Sequence, residues 1–243
     1  MERWIVVTGA SGALAQALFV ALRTAGWGVV AVSRQAAPAD TDAGQVWIQG
    51  DVSDQSGAEA VFAELAQRNI VPEFLAHLAG SFLLAGLAQT SEEQYRQCLA
   101  ANLDSAFFTL RAFVSARKKA GGGGAAVFVS SVVAGTGVAF HEAVAAAKGG
   151  LEALVLAAAA THARDHIRIN AVRSGLMDSP AASHMLRNER SREMARKQYP
   201  LEELISPNDV AGALLFLLHA GQVTGQILAV DGGFSAIRPM VTQ

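Results

Sequence analysis

Short runs of β-branched and other apolar residues alternate along the chain with longer segments rich in alanine and leucine. This alternation is typical of βαβ units, in which parallel strands form one sheet and helices cover both faces. The pattern therefore predicts an α/β fold, a doubly wound sheet of seven parallel strands with helices on both faces. The predicted strands are Trp4–Thr8, Gly28–Ser33, Val46–Gln49, Phe74–Leu78, Ala125–Ser130, Arg168–Val172 and Gln226–Val230.

The segments between these strands predict five helices and one polar stretch. Residues 179–207 show no strand pattern, and we expect them to form a lid over a substrate site. With no internal repeat and no linker composition, the chain is expected to be one domain over residues 1–243. The predicted helices are Ala13–Ala25, Ala58–Arg68, Glu92–Lys119, Glu142–His162 and Asn208–His219.

Composition narrows the partners that the chain could have. Its 243 residues are 51% hydrophobic, enough for one large core. The 19 basic and 21 acidic residues are scattered, so we expect no nucleic-acid partner. The sole cysteine, Cys98, excludes an internal disulfide framework and a cysteine-based metal site. Because no signal-peptide pattern precedes the first strand and charges such as Glu152 interrupt later apolar runs, we expect a soluble, cytoplasmic protein without membrane contact.

Glycines mark the turn between the first strand and the first helix, Thr8–Ala15. Gly9 would allow the tight turn, and Gly12 would let the backbone approach a pyrophosphate at the helix N-terminus. The second strand ends in Ser33 and Arg34, a hydroxyl and a guanidinium that suit the 2′-phosphate of NADP better than an NAD ribose. We therefore predict NADP as the cofactor, with NAD as the alternative. Two other interpretations stay open, namely that the turn binds no ligand and that Arg34 is an ordinary solvated side chain.

From about Trp4 to Phe234 the chain resembles the short-chain dehydrogenase/reductase family. The resemblance implies a Rossmann-type fold, a nicotinamide dinucleotide, a small-molecule substrate and assembly into a homo-dimer or homo-tetramer. The matching motifs, besides the glycine turn, are Asp51-Val52, Ala79-Gly80, Asn102, Ser130–Gly135, Lys148, Arg168–Val172, Gly175, Thr224–Gln226 and Asp231–Gly233.

The resemblance also implies which residues form the site. Ser131 would polarise a substrate carbonyl, Lys148 would hold the nicotinamide ribose, and Asn102 would support them as the helix asparagine of the family's catalytic tetrad. No metal ligand is implied. The implied dinucleotide contacts are Thr8, Gly9, Ser11, Gly12, Ser33, Arg34, Asp51, Val52, Ala79, Gly80 and Lys148.

The chain departs from the family pattern at four positions. The family's proton-donating tyrosine stands four residues before the lysine, where this chain has Val144. Since losing a positioned general acid costs about 10²- to 10⁴-fold in rate, hydride transfer would need another donor. The three other departures are Ala13 for a glycine, Leu78 for an asparagine and Ser174 for a proline.

His141 is the candidate substitute for the missing tyrosine. It stands seven residues before Lys148, a spacing that resembles the Tyr-to-Lys interval of the family's enoyl-reductase branch. An imidazole can also exchange a proton near neutral pH. The alternative is a histidine at a helix entry that only faces solvent or another subunit.

Three functions follow as hypotheses. The first is an NADP(H)-linked oxidoreductase acting on a carbonyl or an activated alkene, with His141, a water or a substrate group as the proton source. The second is a nonredox enzyme on this scaffold, an isomerase, dehydratase or lyase, in which the cofactor is absent or structural. The third is a catalytically inactive binding subunit. The alanine-rich segment 143–160 lets helices of two subunits approach closely, which favours a homo-oligomer.

Overall fold

The computed structural model describes residues 3–39 and 44–238. Seven strands form one sheet: β1 (Trp4–Thr8), β2 (Gly28–Ser33), β3 (Gln45–Gln49), β4 (Phe74–His77), β5 (Gly124–Ser131), β6 (Ile167–Ser174) and β7 (Ile227–Val230). Their order is β3-β2-β1-β4-β5-β6-β7, and every neighbouring pair is parallel. The predicted doubly wound α/β sheet is confirmed.

Helices cover both faces of the sheet because the strand residues are apolar on both sides. On β1, Ile5 and Val7 pack toward α1 and α7, whereas Val6 packs toward α2, α4 and α5. This is the two-residue alternation of an extended strand. The helices are α1 (Ala13–Thr24), α2 (Gln55–Gln67), α3 (Glu92–Leu99), α4 (Ser105–Ala120), α5 (Glu142–His162), α6 (Glu189–Arg196) and α7 (Pro207–His219).

The stretch predicted as one helix over Glu92–Lys119 is helical throughout, but it is not regular α-helix along its whole length. A wide π-helical segment, Ala100–Asp104, separates α3 from α4. Within it, the side-chain amide of Asn102 donates to the carbonyl of Cys98, four residues back, at 2.9 Å. That side-chain bond occupies a carbonyl of the helical ladder, and π-type turns of this kind are common near functional sites.

The sheet order reverses at β1, which is hydrogen-bonded to β2 on one side and to β4 on the other. Thr8, the last residue of β1, pairs with Val32 and with His77. In open parallel sheets, ligands bind in the crevice outside the carboxyl ends of the strands at such a reversal. A ligand site is therefore expected at the loops that follow β1, β2 and β4.

One helical stretch, Glu142–Asp165, is long and apolar enough to cross a membrane by length and composition. Core helices of soluble proteins pass the same test. In this fold the stretch lies against the sheet, with Leu151 and Val155 fully buried in the core and Lys148 and Glu152 also buried. The helix is therefore a core element of the α/β fold.

Candidate active site

The turn after β1 has a backbone that only glycine adopts easily. Gly9 has a φ of +66°, and a Cβ placed on it would lie 2.9 Å from the backbone of Leu78 and Ala79. Gly12 is the N-cap of α1 and has no side chain with which to cap it. The first N–H groups of α1 are therefore available to an anion, as at other helix N-termini.

Nine of the predicted dinucleotide contacts line one cleft of about 430 Å³, which we call the turn cleft. The Ser33 hydroxyl donates to that of Ser11 at 3.2 Å and so joins the end of β2 to the glycine turn. Arg34 is exposed at the edge of this cleft. The nine residues are Gly9, Ser11, Gly12, Ser33, Arg34, Asp51, Val52, Ala79 and Gly80.

Thr8, the tenth predicted contact, lies buried beneath the turn cleft. Its hydroxyl accepts the N–H groups of Leu78 and Ala79, each at 3.2 Å. The hydroxyl proton of Thr8 is then directed to Nδ1 of His77, at 3.1 Å. Thr8 therefore fixes the loop after β4 against the glycine turn, and we infer that it supports the cleft from below.

His77 is a buried residue that the sequence analysis did not single out. Because Nδ1 accepts from Thr8, Nε2 carries the proton and donates to the Ser105 hydroxyl at 3.1 Å. Ser105 in turn donates to the carbonyl of Ala101 at 2.8 Å. Burial, followed by the charge of Lys148, lowers the pKa of His77 to about 3, so the ring stays neutral. The sequence feature that could have identified His77 is its position at the end of a buried strand beside the glycine turn.

Asn102 is buried beside the loop that follows β4. Its side-chain oxygen accepts the N–H of Ser81 at 3.2 Å, and its amide nitrogen donates to the Ser81 hydroxyl at 3.1 Å. A Cβ on Gly80 would lie 2.9 Å from that oxygen and 3.5 Å from Nζ of Lys148. The absence of a side chain at Gly80 thus opens the space next to both groups.

Lys148 contacts Val129, a residue at which the turn cleft meets a second cavity, and Ser131 lines that second cavity. Nζ of Lys148 donates to the carbonyl of Val129 at 2.8 Å. Burial lowers the pKa of Lys148 to about 8. Ser131 ends β5, and its hydroxyl accepts the N–H of Val133 at 3.4 Å. Val129 lines both cavities, as do Met177, Ser179 and Ala181.

The second cavity, which we call the apolar cavity, has a volume of about 760 Å³ and includes Ser131 and Val144 in its wall. Val144 is buried, four residues before Lys148 on α5, so both lie on one face of the helix. Its side chain packs in a cluster with Val132 and Val133. An aliphatic surface without a titratable group therefore stands one helical turn before Lys148.

His141 also lines the apolar cavity, at the N-cap of α5. Its Nδ1 lies 2.8 Å from the carbonyl of Ala139. Since a carbonyl only accepts hydrogen bonds, Nδ1 must carry a proton. Nε2 is then the nitrogen left to exchange a proton with a bound molecule. The ring of Phe82 packs against it with centroids 5.5 Å apart.

The segment 179–207 forms the wall of the apolar cavity that faces Ser131. Within these described residues it contains α6 and a short 3₁₀ turn at Pro180–Ala182 but no strand, as predicted. Met185, Met194 and Tyr199 contribute its lining. Its role as a lid stays a prediction.

Tyr199 is a second residue that the sequence analysis did not single out, and the fold brings it to the cavity. Its hydroxyl accepts the N–H of Leu176 at 2.7 Å, and its ring packs against Phe234 at 5.4 Å. A Cβ on Gly175 would lie 3.1 Å from the hydroxyl, so that glycine gives the tyrosine its space. The other tyrosine, Tyr95, lies on α3 and is not part of the described lining.

The turn cleft fits the pyrophosphate and ribose groups of a nicotinamide dinucleotide. The cleft is built on glycines at which a side chain would crowd the neighbouring atoms. The uncapped N-terminus of α1 suits a phosphate, and Gly80 leaves space beside Lys148 and Asn102. The nicotinamide end would reach the junction at which the two cavities share Val129.

Comparison with known proteins agrees with this geometry. A family model described as enoyl-(acyl carrier protein) reductase matches residues 9–235. The chain is 32% identical to the cis-4-hydroxycyclohexanecarboxylate dehydrogenase of Sinomonas cyclohexanicum, over 97% of this chain and 98% of that one. It is 31% identical to carbonyl reductase family member 4 of Danio rerio, over 98% and 100%.

Solved structures share the fold over nearly the whole chain. An oxidoreductase of the short chain dehydrogenase/reductase family from Burkholderia thailandensis superposes with a TM-score of 0.89 at 32% identity, over 97% of this chain and 94% of that one. Two neighbours at 20% identity, which share the fold alone, are ElxO with NADP and 4-hydroxyisoleucine dehydrogenase with NADH. With the matched model and relatives above 30% identity, the chain belongs to the short-chain dehydrogenase/reductase family of oxidoreductases.

Proposed function

We propose that this protein is an NADP(H)-dependent oxidoreductase that acts on a carbonyl or an activated alkene. The observation that carries the proposal is the junction of the turn cleft with the apolar cavity, beside Ser131 and Lys148. A dinucleotide in the cleft and a substrate in the cavity would meet there. The names of the two relatives, a dehydrogenase of a ring alcohol and a carbonyl reductase, support the same reaction class.

The preference for NADP rests on the end of β2. The exposed Arg34 side chain can bind a 2′-phosphate, and Ser33 can donate to it once its hydroxyl turns away from Ser11. No carboxylate follows Ser33 directly to repel the phosphate. Asp51 and Val52 lie on the neighbouring side of the turn cleft, where they would contact the adenine.

The site residues have separate roles in this proposal. The bound nicotinamide supplies or accepts the hydride. Ser131 donates a hydrogen bond to the substrate oxygen and so stabilises the charge that develops on it. Lys148 binds the ribose hydroxyls, and Asn102 holds the loop after β4, including Gly80, in place.

Val144 cannot supply the proton that balances hydride transfer, so we assign that proton to His141. In its charged form the imidazole carries a proton on Nε2, because Nδ1 is already bonded to the Ala139 carbonyl. Reduction of a ketone then places the hydride on the carbonyl carbon and the Nε2 proton on the oxygen. In the oxidation direction, the neutral ring accepts the same proton.

Calorimetric titration of nucleotide-free protein with NADPH and then NADH tests the cofactor. We expect micromolar binding of NADPH and weaker binding of NADH, and an Arg34→Ala variant should lose most of the NADPH advantage while its NADH affinity stays the same. Absence of binding by either nucleotide would overturn the proposal.

Consumption of NADPH with a panel of ketones, quinones and enoyl thioesters tests the reaction. His141→Phe, which keeps a ring of similar size, should reduce turnover by about 10²-fold or more without changing NADPH affinity. Equal turnover by this variant would remove His141 from the mechanism.

A nonredox reaction is the second candidate, favoured by the aliphatic side chain of Val144 where the family has its proton donor. Turnover that persists without any nicotinamide would support an isomerase, dehydratase or lyase. An inactive binding subunit would instead copurify with a relative that carries the tyrosine. For all three functions we expect a soluble protein located in the cytoplasm.

A further inference from the structure

The apolar cavity is lined almost entirely by uncharged side chains. Among the described residues of its wall there is no aspartate, glutamate, lysine or arginine, and its titratable side chains are those of His141 and Tyr199. Aliphatic, thioether and aromatic groups make up most of the surface. These are Phe82, Val132, Val133, Val138, Val144, Leu176, Met177, Met185, Met194 and Phe234.

Three of the serines in the wall already use their hydroxyl groups within the protein. Ser130 donates to Glu152 at 2.8 Å. Ser174 donates to the carbonyl of the next residue at 2.9 Å. Ser191 donates to the carbonyl of Asn188 at 2.8 Å. These hydroxyl protons are therefore not available to a bound molecule.

Few polar groups of the wall remain unused within the protein. The hydroxyl protons of Ser131 and Tyr199 have no acceptor recorded among residues 3–39 and 44–238, and Nε2 of His141 is similarly unused. Ser131 pairs with Ser174, immediately before the Gly175–Leu176 backbone on which Tyr199 lies. Ser179 lies at the border with the turn cleft, and Gln198 is exposed.

Several charged residues close to the cavity wall in sequence are paired with one another. Behind Ser130, the carboxylate of Glu152 accepts a hydrogen bond from Nε of Arg173, with 2.9 Å between Nε and Oε1. On the segment 179–207, Arg192 binds Asp178 at 2.8 Å, and Arg196 is paired with Glu189. A carboxylate bound against the apolar wall, away from Lys148 and His141, would have to lose its hydration without gaining a cationic partner, which is strongly unfavourable.

A polyol would also bind poorly. Each of its hydroxyl groups would leave water, and the free donors of the wall are too few to replace those hydrogen bonds. An uncharged molecule with one polar group gains from burial against the apolar wall instead. The volume of about 760 Å³ accommodates a two-ring or long-chain compound, and the methionine side chains adapt readily to its shape.

We propose that the apolar cavity takes an uncharged, predominantly hydrophobic substrate that presents a single carbonyl group to Ser131. This inference rests on the proposed function, since it uses the proposed place of the reacting oxygen. It excludes carboxylates and sugar-like polyols as good substrates.

Matched pairs of ligands test the substrate class. The probes are 4-phenylcyclohexanone against 4-(4-oxocyclohexyl)benzoate, and 2-decanone against 9-oxodecanoate, with galactose as the polyol. Binding is measured by calorimetry with and without NADPH, and turnover by the absorbance of NADPH. We expect each neutral ketone to bind at least tenfold more tightly than its carboxylate, and galactose not to bind.

Different outcomes contradict the proposed substrate class and the proposed redox function. A carboxylate or galactose that binds as tightly as the neutral ketones, or a lack of binding by every ketone, overturns the substrate class. Tight binding of the neutral ketones without NADPH consumption supports the class and contradicts the redox function. Consumption of NADPH with the carboxylates alone supports the redox function and contradicts the class.

Variants give a second test that does not depend on one ligand pair. Met185→Lys places an ammonium in the wall and should shift the ratio of ketone to carboxylate affinity at least tenfold toward the carboxylate. Leu201→Lys, at a residue that is 71% exposed and outside the described lining, is the control and should leave the ratio unchanged. If Met185→Lys fails to fold, Met194→Lys at the exposed edge serves the same purpose. An unchanged ratio in the folded lining variant would contradict the proposal.

Discussion

The tautomer of His77 is set by its neighbours, and this has a consequence for stability in acid. Folding lowers its pKa from 6.5 to about 3, chiefly by burial. Below pH 6.5 the unfolded chain binds a proton that the folded chain does not, so stability falls as the pH falls from 6.5 toward 3. We expect this residue to account for a loss of about 2 kcal/mol between pH 7 and pH 5.

Urea unfolding of a His77→Asn variant at both pH values measures this contribution. The variant should be less stable at pH 7 but should lose about 2 kcal/mol less than the wild type on acidification. His166→Asn is the matched control, because His166 is exposed and its φ of +55° suits asparagine. Equal pH dependence of the wild type and the His77 variant would show that the ring is protonated in the folded state.

Val144 allows a direct test of how much of the family's site is retained. Since its side chain lines a cavity of about 760 Å³, a tyrosine has room there. Val144→Tyr should raise kcat/KM for NADPH-dependent reduction by about 10²-fold or more, if Ser131 and Lys148 keep the geometry that a tyrosine donor requires. Val144→Phe adds the ring without the hydroxyl and should give no gain. A similar rate for both variants and the wild type would mean that Ser131 and Lys148 no longer keep that geometry.

At the scale of elements, a charged network connects the strands that carry the site to α5. Glu152 on α5 accepts hydrogen bonds from Ser130 on β5 and from Arg173 on β6. A Cβ on Gly135 would lie 2.8 Å from the guanidinium, so the turn after Ser131 packs directly on it. The pair therefore holds the segment that contains Ser131 between three elements.

Removing one partner should cost more than removing both. Glu152→Gln leaves the guanidinium without its counter-charge, and we expect a loss of about 2 kcal/mol, reduced from the fully buried value because both side chains retain some solvent contact. Glu152→Leu combined with Arg173→Met should cost less than the sum of the two single changes. Urea unfolding of the wild type, the single variants Glu152→Leu and Arg173→Met and the double variant measures the coupling, and strict additivity would contradict it.

Local patterns were sufficient for several elements and insufficient for others. The ends of β1, β2 and α5 match the predictions because apolar runs and helix entry signals coincide there. The start of α2 at Gln55 was placed three residues late, because its signal is the Asp54 cap bonded to Gly57 at 2.8 Å rather than periodicity. The π-helical segment Ala100–Asp104 contains a side-chain bond from Asn102 to the backbone, and hydrophobic spacing reveals neither feature.

At the scale of the whole molecule, the sequence indicated the turn cleft better than the apolar cavity. The cleft depends on glycines and polar residues that follow strands directly, so motif and topology are enough to bring them together. The cavity depends on Tyr199 and the methionines of segment 179–207, whose approach to Ser131 follows from tertiary packing. Which hydroxyl groups are free also depends on partners distant in sequence, as for Ser130 and Glu152.

Apolar residues on the outer surface support the expected assembly of copies of this chain. Leu156 on α5 is 52% exposed and Phe107 on α4 is 49% exposed. Phe216 on α7 and Leu228 on β7 are also exposed, on other elements near the far edge of the sheet. A tetramer with two kinds of two-fold interface requires two separate apolar surfaces, whereas a dimer requires one.

Sedimentation equilibrium at micromolar concentration distinguishes these states. We expect a homo-dimer or homo-tetramer in the wild type, and a smaller species for Leu156→Asp, because a carboxylate would have to be buried at the α4–α5 interface. Val71→Asp is the control, since Val71 is exposed in the loop between α2 and β4, away from both surfaces. Circular dichroism checks that each variant stays folded. A monomeric wild type would contradict the assembly, and an unchanged mass for Leu156→Asp would locate the interface on another surface.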